Sequence, residues 1–180
     1  MPVPGRVAAI LAVAAGILGA GVLFSCDDLP TTSVTFRIDD PWTFAEPAMP
    51  LFIEVRGNPG AADADAGAEM VVAAMREAIS WHGNPRLTAD PALAGTPSTR
   101  VVMTFNPTSA GGAEANCAGR IDGGEADVDG AVRVLATFCA DARPLANVEG
   151  RLRRPGAGDE RLRALLTQVT LDMFRGERHP

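Results

Sequence analysis

The chain contains no lysine and no tyrosine, and it holds only three cysteines and two histidines in 180 residues. Each scarcity narrows what the protein can be. Lysine and tyrosine have AT-rich codons, so their absence beside abundant Ala, Gly, Arg and Pro points to a GC-rich bacterial genome. Every basic residue is an arginine, and these are outnumbered 16 to 22 by Asp and Glu, for a formal charge of −6. An acidic chain with 5% aromatics lacks the clustered cations and stacking rings that nucleic-acid binding requires. His82 and His179 are far apart and in no metal-ligand spacing, so zinc has no supported site. Ser33, Ser80, Ser98 and Ser109 lack the G-x-S-x-G elbow, and with so few histidines a general base is unassigned. No C-x-x-C motif is present for disulfide exchange, so the sequence offers no catalytic constellation and no cofactor, and a non-enzymatic role is expected.

What the chain does have is a long apolar run, Val7 to Phe24, behind a single positive charge at Arg6 and ahead of Leu23-Phe24-Ser25-Cys26-Asp27-Asp28. A charged start, an apolar stretch and a small residue before a cysteine are the layout of an export signal. Leu23, Ser25 and Cys26 resemble the bacterial lipobox, with Phe24 departing from the small residue usual at its position. The resemblance implies a signal peptide over 1–25 and a lipidated Cys26 carrying acyl chains such as palmitate. An uncleaved anchor is the main alternative, since such a run just spans a bilayer of about 30 Å. Gly16, Gly19 and Gly21 weigh against it, each costing a helix about 1 kcal/mol relative to Ala. Ordinary secretion is the third reading. Asp27-Asp28 resembles the inner-membrane retention signal of enteric lipoproteins, so the expected location is the inner rather than the outer membrane, facing the periplasm.

Assigning Cys26 to lipid leaves Cys117 and Cys139, an even pair in a compartment where disulfides persist. The chain from Cys26 onward keeps every acid and loses only Arg6, so its formal charge falls from −6 to −7. A length near 150 residues suits one domain with one core. Residues 26–50, with Pro30, Pro41, Pro47 and Pro50, read as a tether that includes an edge strand at Val34, Phe36 and Ile38. Residues 51–176 read as a single domain.

Within it, Leu51, Ile53 and Val55 have strand spacing, followed by a helix over about Ala66 to Ser80 with Asp63 or Asp65 as cap. Val71, Met75, Ala78 and Ile79 share one face of that helix, and Trp81-His82-Gly83 ends it. The stretch Asn84 to Thr99 reads as a long loop, and Arg100 to Asn106 as a strand whose Val101, Met103 and Phe105 face one way. Ala115–Ile121 and Ala131–Cys139 read as a hairpin, whose register would pair Cys117 with Cys139 and Ile121 with Leu135 and turn Val132, Val134, Ala136 and Phe138 to the core. A strand from Leu145 to Leu152 follows. The last helix carries an apolar stripe at Leu162, Leu165, Leu166, Val169 and Met173, with Asp159 to cap it and Gly176 to stop it. The expected fold is α+β: a mixed, mainly antiparallel sheet of four to six strands with two packed helices.

Two clusters are candidate sites. Glu125-Ala126-Asp127-Val128-Asp129-Gly130 resembles the first half of an EF-hand loop, but position twelve would be Ala136, so the closing bidentate carboxylate is missing and a solvated turn is the expected reading. Arg151, Arg153 and Arg154, with Arg161 and Arg163, form the one basic cluster of an acidic domain, open either to ion pairing with Asp159 and Glu160 or to anionic headgroups near the anchor. Val101 to Pro107, Cys117, Phe138-Cys139 and Arg143-Pro144-Leu145 together resemble a group of uncharacterised lipoproteins from GC-rich proteobacteria. That resemblance implies an envelope lipoprotein with a bonded cysteine pair and brings no catalytic residues. The expectation is a lipid-anchored accessory protein acting in binding or envelope assembly, with membrane lipid and an envelope or membrane protein as partners and no nucleic acid. A periplasmic hydrolase or a small-ligand carrier is the alternative.

Overall fold

In the computed structural model, which describes residues 29–59, 63–125, 130–153 and 160–175, the chain forms one six-stranded sheet in the order β1-β6-β5-β4-β2-β3. The strands are β1 (Thr31–Arg37), β2 (Leu51–Arg56), β3 (Leu87–Thr88), β4 (Thr99–Phe105), β5 (Val132–Ala140) and β6 (Arg143–Leu152). The pairs β1/β6, β6/β5 and β5/β4 are antiparallel, while β2 runs parallel to both β4 and β3. The helices are α1 (Trp42–Ala45), α2 (Ala64–Ala78), α3 (Ala113–Cys117) and α4 (Glu160–Phe174). The fold is α+β, with a mostly antiparallel mixed sheet.

Alternation along the strands makes one face apolar. Ile53 of β2, Val101, Met103 and Phe105 of β4, Val132, Val134, Ala136 and Phe138 of β5, and Val148 of β6 share that face and are buried. Helices α2 and α4 cover it side by side through Val71, Met75 and Ile79 from one and the stripe Leu162, Leu165, Leu166, Val169 and Met173 from the other. Gly150 lets α4 come close. A Cβ there would meet Val169 Cγ2 at 2.9 Å and Leu165 Cδ1 at 3.0 Å. Asp63 caps α2 by accepting a hydrogen bond from the Ala66 amide at 2.7 Å, which meets one of the donors a helix start leaves unpaired.

Three sequence expectations need revision. The first concerns residues 115–121, which do not form a strand. Both edges of β5 are already taken by β4 and β6, with Cys139 opposite Arg100 and Pro144 and Leu135 opposite Thr104 and Glu149, so no hairpin with residues 115–121 can form. The segment instead makes α3, closed by Gly119 at φ 72° with the Gly119 amide donating to the Asn116 carbonyl and the Arg120 amide to the Ala115 carbonyl. That is a Schellman end, and only a left-handed residue completes it without strain. The hairpin is β5–β6, turned at Asp141 with φ 55°, a conformation Asp tolerates.

The second concerns the segment before Leu51. β1 is an edge strand as expected, but residues 42–48 are helical and send Trp42, Ala45 and Ala48 into the core. Pro41 and Pro47 sit where helical turns begin, where a missing amide hydrogen costs nothing, and Asp40 accepts from the Trp42 amide at 3.0 Å. The sheet and core thus draw on residues 31–48 as well as on the segment from Leu51. The third concerns Asn84 to Thr99, which contains β3 and a short 3-10 turn, Pro91–Leu93, capped by Asp90. No helix among the described residues is long and apolar enough to cross a membrane.

Candidate functional site: the polar face of the sheet

The second face of the sheet is largely polar, interrupted by Phe52, Val102, Leu135 and Cys139. By register it carries Glu54 and Arg56 of β2, Arg100, Val102 and Thr104 of β4, Arg133, Leu135, Thr137 and Cys139 of β5, Asn147, Glu149 and Arg151 of β6, and Ser33 of β1. Among the described residues, α3 alone lies across it. Cys117 in α3 is bonded to Cys139 in β5, with Cα atoms 5.7 Å apart, and together with Val102 the pair forms a small apolar cluster separate from the main core. The bond expected from the cysteine count is present; it joins a helix to a strand rather than two paired strands.

Asn116, one residue before Cys117 and fully buried, organises the centre of this face. Its Oδ1 accepts from Thr104 Oγ1 at 2.7 Å. Its Nδ2 donates to Thr137 Oγ1 at 3.0 Å and to the Val102 and Leu135 carbonyls at 3.4 and 3.3 Å. Thr137 Oγ1 donates onward to Asn147 Oδ1 at 2.8 Å, and Asn147 Nδ2 to Thr35 Oγ1 at 3.3 Å. The chain of bonds crosses β4, β5, β6 and β1, and each buried side chain in it is satisfied, which is the condition for a polar core element to stabilise rather than cost.

The charges near β2 are also committed. Glu54 binds both Arg56 and Arg100, the latter at 2.8 Å. Arg100 Nη2 donates to the Cys117 carbonyl at 2.8 Å, and Arg56 Nη1 to the Asn116 and Ile121 carbonyls at 3.2 Å. Two guanidinium groups therefore serve the carbonyl end of α3, where positive charge also suits the helix dipole. These groups hold α3 against the sheet.

At the other end of the same face lies an open groove of about 590 Å³, bounded by the start of β1, the loop 107–111 and the ends of β5 and β6. Arg133 and Arg151 face each other directly across β5 and β6, and Glu149 sits one step along on the same side; all three are exposed. Neither the Arg151 guanidinium nor the Glu149 carboxylate has a partner among the described residues. Below the loop, Asn106 takes its place by accepting from the Arg133 amide at 2.8 Å through Oδ1, while its Nδ2 is buried without a partner.

The expected site residues are distributed unevenly. Arg151 lines this groove, Arg153 lies just beyond on the same strand end, and Arg154 is outside the described residues. Arg163 is 3.7 Å from Glu77 in an exposed pair, so it belongs to the α2/α4 surface. Glu125 is exposed, Asp127 and Asp129 lie outside the described residues, and no group of three or more metal-ligating side chains occurs among those described. Cys26, Asp27, Asp28, Asp159, Gly176 and His179 are likewise outside them. His82 stacks on Trp42 with ring centroids 3.7 Å apart and bonds Glu46 at 2.8 Å, and no serine hydroxyl touches it among the described residues. Arg133, Glu149 and Asn116 escaped the sequence reading because their meaning comes from cross-strand register, for which the only local signal was alternation of polar residues in β5 and β6.

No family model matches the chain, and no curated protein matches it. Among solved structures, it is similar to the PelC dodecamer from Paraburkholderia phytofirmans. One form, carrying a leucine-to-methionine substitution, is 14% identical with a TM-score of 0.43, and the match covers 82% of this chain and 100% of that one. A second form is 13% identical with a TM-score of 0.39, covering 81% and 98%.

Proposed function

We propose that the chain is a lipid-anchored accessory module of the bacterial envelope, held by acylated Cys26 at a membrane surface, facing the periplasm, and acting by binding rather than by turnover. The observation that carries this reading is the Cys117–Cys139 bond. It accounts for two of the three cysteines and leaves Cys26, at the end of an export-like signal, as the only thiol still to be explained. The anchor would also lie close to the sheet. Four residues lie between Cys26 and Thr31 at the start of β1, so the two are five backbone steps apart, a reach of roughly 17 Å when extended. Because Thr31 pairs with Arg151, the strand end bearing Arg151 and Arg153 would sit at the headgroups, where each cation contributes about 1 kcal/mol on an anionic surface. With Asp27-Asp28 behind the anchor, the inner membrane is the proposed location, and an envelope or membrane protein the proposed partner.

Intact-mass measurement of the membrane-extracted protein tests the anchor. The expected species begins at Cys26 and carries acyl mass, and Cys26→Ser shifts the protein to precursor or to the soluble fraction. A chain retaining residues 1–25, or a soluble one without acyl mass, overturns the proposal. Density-gradient fractionation then tests the membrane: recovery with inner-membrane markers is expected, and recovery with outer-membrane markers refutes that location.

A further inference from the structure

We infer that β1 is a self-pairing edge, through which two copies of the chain join antiparallel about a two-fold axis at Val34 and run their sheets into one. The two ends of the sheet are not alike. β3 is two residues long and lies between Pro85 and Pro91, and short strands flanked by proline keep an edge from pairing. β1 has seven residues and no proline, and among the described residues it has a neighbour on one side only, β6. Its single charge is turned inward, with Arg37 Nη1 donating to the Asp172 carbonyl at 2.6 Å. Three of the five large apolar side chains exposed among the described residues lie on this strand or just before it: Leu29, Val34 and Phe36. An open row of backbone donors and acceptors with bare apolar residues along it is a surface that another strand completes.

The sequence of β1 fits a second copy of itself. With Val34 opposite Val34 of the second copy, Ser33 comes opposite the pair Thr35 and Phe36, and Thr32 opposite Arg37, so no charge meets a like charge. The bulge is absorbed in that register. On the inner side Thr35 is the extra residue between Val34 and Phe36, and it takes a bond from Asn147 Nδ2 at 3.3 Å while Phe36 pairs with the same Asn147. On the outer side Ser33 of the second copy takes the place of Asn147 in the same two-to-one arrangement. The faces agree as well. By register Val34 shares the apolar side with Val148, so each Val34 covers the other there, and Phe36 shares the polar side with Asn147. Phe36 of the second copy is thereby carried to Ser33, at the mouth of the open groove whose lining includes Leu135. A strand from an unrelated protein would have to bring apolar residues at these two positions, whereas a second copy has them by symmetry. A bilayer does not serve instead, because an unpaired strand edge finds no hydrogen-bond partner in hydrocarbon. The pairing rests on the strand and not on the anchored reading above, although an acyl anchor would gather copies in one plane.

Self-crosslinking of the full chain in native membranes tests the inference, with copper phenanthroline as oxidant, non-reducing gels as readout and the unsubstituted protein as control for its own cysteines. Val34→Cys is expected to give a disulfide-linked dimer, and Thr31→Cys several-fold less. The axis sets the two positions 34 about 5 Å apart at Cβ and the two positions 31 about 20 Å apart. Leu93→Cys, 65% exposed at the opposite end of the sheet, is expected to stay monomeric. Adding Phe36→Glu to Val34→Cys lowers the dimer about tenfold, because its carboxylate meets the exposed Glu149 that lies beside Ser33 in the second copy, while Phe36→Leu leaves the dimer in place. Equal crosslinking from all three single cysteine variants, the mark of random collision, or no dimer from Val34→Cys overturns the inference. A crosslinked band of another mass overturns it and assigns the edge to a partner protein. A thiol at position 34 that reacts with neither copper nor a soluble maleimide until detergent is added overturns it and assigns the edge to the bilayer. Intact mass separates the two proposals: an unacylated chain that still crosslinks at position 34 defeats the anchor alone, and an acylated chain that does not defeats the pairing alone.

Discussion

The two faces of the sheet are stabilised by different physics. The face under α2 and α4 is a continuous apolar surface in which any residue of suitable size and pattern would serve, and its largest side chains, including Phe105, Phe138 and Phe174, are fully buried. The face under α3 is held by a covalent bond, one buried amide and two arginines, each of which works only in that arrangement. Hydrophobic burial is non-directional and tolerant, while a hydrogen-bonded network depends on every member. A short helix of five residues has too little apolar area to dock by burial alone, and the specific ties replace what area cannot supply.

The difference can be broken from either side. Phe138→Ala removes a fully buried ring from the centre of β5 and is expected to cost about 3–5 kcal/mol, read as a drop in urea midpoint with m unchanged. A loss below about 1 kcal/mol would mean the apolar face is far less tightly packed than described. Cys117→Ser with Cys139→Ser is expected to cost roughly 3 kcal/mol for a closed loop of 22 residues, measured against the oxidised protein. An unchanged melting temperature would show that the other ties suffice for α3. Asn116→Ala leaves Thr104, Thr137 and two carbonyls short of partners and is expected to cost about 2–3 kcal/mol. If the network acts as a unit, the double change Asn116→Ala with Thr137→Val costs less than the sum of the single changes. At the rim, Arg151→Gln is expected to shift stability by under about 0.5 kcal/mol, since its exposed guanidinium has no partner among the described residues.

The same contrast decides how much was legible in the sequence. The apolar face was readable because its rule is periodic: Val101, Met103 and Phe105 alternate, and Leu162, Leu165, Leu166, Val169 and Met173 recur at helical spacing. The α+β class and the edge position of β1 followed from that. The polar face shares the strand period of two, but the ties that hold α3 to it do not repeat. Ala115–Ile121 looked strand-like beside two cysteines, and nothing local revealed that β4 and β6 already flank β5; the helix signal was Gly119, a residue that fits many turns. The cysteine pair was deducible by counting, but its geometry was not. The groove was half legible, since the arginines of residues 151–154 stand out in an acidic chain, whereas Arg133 enters only through its register with Arg151.

The ring cluster around Trp42 has a practical consequence for anyone following these experiments by light. With no tyrosine, ultraviolet emission comes from the chain's two tryptophans, Trp42 and Trp81, whose rings are 6.1 Å apart at one corner of the molecule. Trp42 is buried, stacked on His82 and donating to the Phe174 carbonyl at 3.1 Å, while Trp81 is 54% exposed. Fluorescence therefore reads the junction between α1 and the end of α4 and is nearly blind to α3 and the groove. A melt in which emission and far-UV dichroism coincide shows that the corner and the sheet unfold together. A melt in which emission changes first identifies that junction as the place where the protein begins to open.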